Sequence, residues 1–153
     1  MLTRNRLPGV MNMPEPLLID SVNHLAREVV DVDRSVAFYQ NVMGFRVIKR
    51  PNFNFRGAWL YGCGVQLHII EGGPPERGVA VSARADHVAF HSPNIEAVEA
   101  GLREHRINYL RNVQGPTGMI QLFFHDPDGN HIEIAQYPVH PDIGPVHTTS
   151  AGG

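Results

Sequence analysis

Two segments of this chain share one pattern, and the positions they share carry metal-ligating side chains. Asn23-His24-Leu25-Ala26 returns as Asp86-His87-Val88-Ala89, and Leu67-His68-Ile69 returns as Ile132-Glu133-Ile134. The members of each pair are separated by nearly equal lengths of chain, so the sequence reads as two near-equal modules. Each module contributes two coordinating side chains, and each of the four sits in a short run that reads as a strand. Modules related by a pseudo-two-fold would bring the four together around one point. A metal centre is therefore the leading expectation.

Composition narrows the classes. A chain of 153 residues is long enough to bury a real core as one domain, and 42% hydrophobic with 18% charged residues is ordinary for a soluble globular protein. A net charge of −2 without a basic cluster argues against nucleic acid or an anionic membrane as partner. No run reaches the roughly 18 apolar residues of a membrane span. Cys63 is the single cysteine, so no intrachain disulfide can form, and a reducing, cytoplasmic setting is expected. Cys63 lies in a turn, Gly62-Cys63-Gly64, with no histidine or basic neighbour in sequence to activate a thiolate. The histidines outside the repeat read mostly as solvent-facing.

Residues 1–18 read as a disordered leader and 138–153 as a flexible tail rich in Pro, Gly, Ser and Thr, leaving one domain over 19–137. Its first module spans 19–72. A strand over 20–30 leads to the helix-start residues Asp31 and Asp33. Val36, Tyr39 and Met43 mark one helical face, and Gly44 ends the helix. Strands follow at 45–50, 57–62 and 65–70, the last two joined by a hairpin-sized turn at Cys63-Gly64. A linker from Glu71 to Arg84, opening with Gly72-Gly73-Pro74-Pro75, marks the boundary.

The second module, 84–137, repeats the order. A strand at 85–91 leads to Ser92-Pro93-Asn94 and a helix through Ile95, Val98 and Leu102. Strands at 108–113, 119–125 and 131–137 follow, the last two separated by the turn residues Asp126-Pro127-Asp128-Gly129. The unit is βαβββ, used twice.

Within the strands, residues two apart share a face. Val65, Leu67 and Ile69 form an apolar face opposite Gln66 and His68, and Ile132 and Ile134 oppose His131 and Glu133. His24, Ala26 and Glu28 share a third such face. The apolar faces can pack on the two helices. A concave row of His, Glu and Gln is expensive to bury without a cation or ligand to satisfy it. Imidazoles with one carboxylate are a donor set for a divalent first-row metal, with positions left open for water or substrate. Phe53, Phe55, Trp59 and Tyr61 read either as ordinary strand packing or as a wall for a planar ligand, with packing favoured.

At these residues the chain resembles the vicinal oxygen chelate superfamily, and within it the glyoxalase I-like proteins of the plant-type branch. The resemblance covers roughly 19–137. It rests on Asn23-His24, on Asp33-Arg34-Ser35-Val36-Ala37-Phe38-Tyr39 running to Gly44-Phe45, and on Gly57-Ala58-Trp59-Leu60-Tyr61-Gly62 with Leu67-His68. Asp86-His87-Val88-Ala89 and Asp126-Pro127-Asp128-Gly129 followed by Ile132-Glu133 complete it. It implies an α+β fold in which paired βαβββ modules form a U-shaped open barrel around one divalent ion (Ni, Zn, Mn, Co or Fe). It implies His24, His68, His87 and Glu133 as the metal ligands, and a homodimer with sites near the interface.

The activity implied is that of a metal-dependent glyoxalase I-like lyase or isomerase on a small α-oxo or vicinal-oxygen substrate. Glu133, the only carboxylate in the set, is the expected proton carrier. His131 on the same strand face could assist, or simply lie partly exposed at the cavity mouth. Where glyoxalase I proper places an Arg to grip glutathione, this chain has Glu28, with Arg27 on the opposite face. The alternatives are a non-haem Fe(II) extradiol-type dioxygenase using His24, His87 and Glu133, or a small-molecule-binding resistance protein of the same fold.

Overall fold

A computed structural model describes residues 17–18, 21–73, 80–115 and 118–136. Most of the expected leader, part of the linker and the whole of the expected tail lie outside the described residues. The elements are β1 (His24–Val29), α1 (Val32–Asn41), β2 (Arg46–Ile48), β3 (Gly57–Gly62) and β4 (Val65–Glu71), then β5 (His87–His91), α2 (Ile95–Glu104), β6 (Tyr109–Val113), β7 (Ile120–His125) and β8 (His131–Ala135). This is the βαβββ order twice. Each module makes one four-stranded sheet, ordered β1-β4-β3-β2 and β5-β8-β7-β6. No helix among the described residues is long and apolar enough to cross a membrane.

Local chemistry sets the helix ends. Asp31 caps α1 by accepting from the Arg34 N–H at 3.0 Å, and Asn94 caps α2 by accepting from the Ala97 N–H at 2.9 Å. Gly44, past the end of α1, takes φ 72°. In the β3–β4 hairpin both turn residues are left-handed, Cys63 at φ 52° and Gly64 at φ 77°. Cys63 holds this conformation at a cost of roughly 1 kcal/mol.

The repeat extends to strand register. β1 pairs parallel with β4, placing Ala26 opposite His68, and β5 pairs parallel with β8, placing Ala89 opposite Glu133. His24 and His87 each stand two residues before that alanine. His24 is thus the register equivalent of His87, and His68 that of Glu133.

The other face of each sheet is the core. Val29, Leu60, Leu67 and Ile69 in the first module, and Leu122, Phe124 and Ile132 in the second, are buried with Tyr39, Phe45, Ile95 and Leu102. Leu25 and Arg27 of β1 and Val88 and Phe90 of β5 line one narrow cavity between the sheets, and Phe45 meets Phe90 edge-on at 6.2 Å. The modules therefore contact through these apolar faces.

A polar clasp fastens the modules. Asp128 accepts from the Val30 N–H at 3.1 Å, from the Ser35 hydroxyl at 2.9 Å and from Arg34 at 3.3 Å, a carboxylate seated at the start of α1 where the helix dipole favours it. Asp126 accepts from the Tyr39 hydroxyl at 2.8 Å, and from the N–H groups of Asp128 at 3.0 Å and Asn130 at 2.8 Å. Burial and the adjacent Asp126 charge both push the Tyr39 hydroxyl pKa far up, so it stays a donor. Gly129, at φ 81°, lets the turn close.

Candidate metal centre

The structure brings the four expected ligands together as two pairs, one on each sheet. No group of three or more His, Cys, Asp or Glu positioned for one ion occurs among the described residues. The single-point convergence expected from the sequence is thus not formed within one chain, and alternation explains why. Leu25, Arg27, Val88 and Phe90 face the inter-sheet cavity, so His24 points off the far side of one sheet and His87 off the far side of the other. The two faces look away from each other.

On the first sheet, His24 and His68 stack with centroids 4.1 Å apart and planes 17° apart. The His24 Nδ1–H donates to Asn23 Oδ1 at 2.9 Å, which leaves the Nε2 lone pair outward. His68 is layered between His24 and Trp59, whose ring lies 4.2 Å away and 5° from parallel. Its Nε2 approaches Gln66 Oε1 at 3.3 Å. Burial first, and the neighbouring His24 second, lower the His68 pKa.

On the second sheet, His87 Nε2 lies 2.8 Å from Glu133 Oε2. The His87 Nδ1–H donates to the Ala85 carbonyl at 2.7 Å, fixing the ring. Two lone pairs cannot face each other at that distance, so a positive charge belongs between Nε2 and Oε2: a proton or a metal ion. Glu133 is 1% exposed, and a carboxylate so buried needs a countercharge. Its other oxygen, Oε1, accepts from Gln121 Nε2 at 2.7 Å, and Gln121 Oε1 in turn accepts from Asn112 at 2.7 Å and Gln114 at 3.2 Å. The donor set and its orientation fit a divalent ion.

The one sequence signal for Gln121 is that it is the single polar residue in the run Ile120–Phe124. His131 is buried rather than partly exposed. The Ser82 N–H donates to its Nε2 at 3.3 Å, so the same lone pair accepts from His125 Nε2–H at 2.9 Å. Burial, then the neighbouring His131, lower the His125 pKa, with Asp126 opposing. Glu28 is exposed and shares the His24 face, while Arg27 lines the inter-sheet cavity, as expected.

The lowered pKa values of His68 and His125 fix a sign. Each group binds its proton more weakly folded than unfolded, so their contribution is intact above the ordinary histidine value of about 6.5 and is lost as pH falls below it. Urea midpoints of metal-free protein should accordingly drop between about pH 7.5 and about pH 5. A midpoint that rises on acidification would contradict these environments.

Residues 21–134 match the family model of the Glyoxalase/Bleomycin resistance protein/Dioxygenase superfamily, and the chain belongs to that superfamily. Among its relatives, Glyoxylase I 4 of Arabidopsis thaliana is 40% identical over 138 residues, covering 84% of this chain and 79% of that one. Metallothiol transferase FosB of Lysinibacillus sphaericus (strain C3-41) is 38% identical over 125 residues, covering 77% of this chain and 83% of that one. The fold is shared with a glutamine mutant of the fosfomycin resistance protein FosX from Listeria monocytogenes, solved with Mn(II) and a dihydroxypropylphosphonic acid. There the TM-score is 0.68 at 17% identity, over 80% of this chain and 95% of that one.

Proposed function

We propose that the chain is a metal-dependent enzyme of the glyoxalase I type, a lyase or isomerase acting on a small α-oxo or vicinal-oxygen compound. His24, His68, His87 and Glu133 would hold one divalent ion per site. The observation that carries this reading is the buried His87–Glu133 pair, 2.8 Å apart and with both side chains oriented from behind. A Ni, Zn, Mn, Co or Fe ion held by these residues would supply Lewis acidity to the oxygens of the substrate. Glu133 takes the proton from the adjacent substrate carbon and returns it one atom away. Gln121 keeps that carboxylate from rotating. The 40% identity to a protein named Glyoxylase I 4 supports the class.

Outward-looking ligand faces need a second copy to complete a site, which makes the homodimer part of the proposal. In it, the His24–His68 face of one copy stands across from the His87–Glu133 face of the other, and the two sheets wall a U-shaped channel. Light scattering should give about twice the 17.0 kDa of one chain. A mass of one chain at micromolar concentration would remove this claim.

The contact of His68 Nε2 with Gln66 Oε1 at 3.3 Å favours one second reading. With that nitrogen turned to Gln66, His24, His87 and Glu133 remain as a two-His-one-carboxylate triad, the set used by non-haem Fe(II) dioxygenases. Anaerobic reconstitution with Ni, Zn, Mn and Fe(II) separates the two. Turnover of the methylglyoxal–glutathione hemithioacetal, or of another α-oxo compound, by the Ni or Zn form is the expected result. Oxygen uptake with catechols confined to the Fe(II) form would replace it with the dioxygenase reading.

A further inference from the structure

The ligand face of the first sheet continues past His68 into a row of rings that the proposed chemistry does not use. Beyond the His24–His68–Trp59 stack, Phe53 reaches Trp59 at 6.1 Å, and Phe55 stacks on Phe53 at 5.3 Å. The Arg50 guanidinium lies 4.8 Å from the Phe53 ring and 4.7 Å from the Phe55 ring. Its Nη2 donates to the Phe55 carbonyl at 2.9 Å, so the cation is held in place. The row runs from a candidate metal ligand to a fixed positive charge.

Both the rings and the charge stay partly open to solvent. Phe53 and Phe55 are 42% and 44% exposed, in the β2–β3 connection, where packing would have hidden them. Arg46, Lys49 and Arg50 have no carboxylate within ion-pair reach among the described residues, whereas Arg34, Arg56, Arg103 and Arg111 each have one. A partly exposed row of ring edges, on which a flat molecule can lie edge-to-face, ending in a guanidinium without a carboxylate partner, is complementary to a flat molecule with an acidic end.

We infer that this row is the specificity wall of the site, and that the substrate is an elongated, planar anion. Its vicinal oxygens lie at the His24 end and its acidic group lies toward Arg50. The inference rests on the reading of His24 as part of a chelating centre. It locates the acid-binding function at Arg50, on the side of the face away from Glu28.

Caffeate and its methyl ester are suitable probes: both carry vicinal oxygens on a conjugated plane, and only caffeate is charged at the far end. Calorimetry on the metal-loaded full chain should find caffeate bound about tenfold tighter than the ester. Arg50→Ala should abolish that preference, while Arg50→Lys should retain part of it. Phe53→Ala should weaken both compounds without changing the mass by light scattering.

Equal affinity for acid and ester in the parent chain, or a preference that survives Arg50→Ala, overturns the wall. So does a Phe53→Ala chain that falls to a lower mass with caffeate affinity intact, which would make the rings a contact between copies. Glu133→Gln separates this from the parent reading. A charge preference that persists in the parent chain and in Glu133→Gln when neither holds metal sustains the wall while the metal reading fails. Normal metal loading in the parent without any charge preference removes the wall alone.

Discussion

Glu133→Gln and His87→Ala should each lower the divalent-metal content of the purified protein by about an order of magnitude or more. The expectation follows from the atoms at 2.8 Å, His87 Nε2 and Glu133 Oε2, which need positive charge between them. Glutamine keeps the shape of Glu133 and the contact to Gln121 but removes the charge that a divalent ion answers. Alanine at His87 removes a nitrogen already turned outward by the Ala85 carbonyl. Gln121→Ala should act in the same direction, by about tenfold in metal affinity, because it frees the Oε1 end of the carboxylate. Elemental analysis after dialysis against a weak chelator reads all three. Full occupancy in both primary variants would show that other residues hold the ion.

The repeat was legible because its spacing survives in the chain: near-equal intervals between His24 and His87, and between His68 and Glu133, become equivalent strand registers. Helix starts at Asp31 and Asn94 were legible for a local reason, since capping is decided within three residues. How the modules would face each other was not. Alternation says that His24 and Leu25 lie on opposite faces, but only the packing of Leu25, Val88 and Phe90 decides which faces meet. That choice turns one expected cluster into two pairs.

Long-range polar partners were hidden for a related reason. Gln121 reads as a stray polar residue until β7 is set beside β8 and its amide meets Glu133. His131 reads as exposed until Ser82 and His125, which are remote from each other in sequence, close over its Nε2. Phe53 and Phe55 erred the other way. Their apolar character suggested packing, yet they sit in a connection where nothing covers them fully.

The largest loss of stability should come from Asp126→Ala, at about 3–5 kcal/mol, measured from urea midpoints. Asp126 is buried, and its two oxygens accept from the Tyr39 hydroxyl, the Asn130 side chain, and the N–H groups of Asp128 and Asn130. Truncation leaves those donors without this acceptor in a buried interface, at roughly 1–3 kcal/mol for each buried group left unpaired. The turn itself also loosens, because two of the donors are its own backbone. Tyr39→Phe removes one hydrogen bond and leaves Asp126 its other donors, so about 1 kcal/mol is expected. Against a total stability of about 5–15 kcal/mol, the first change brings the fold near its limit and the second does not. The effect should also reach the site. β8 starts directly after Asn130, and a loosened turn releases the strand that carries Glu133, so Asp126→Ala should lose metal under conditions where Tyr39→Phe keeps it. Equal, small losses from both substitutions would show that the modules are held by their apolar faces and that the clasp adds little.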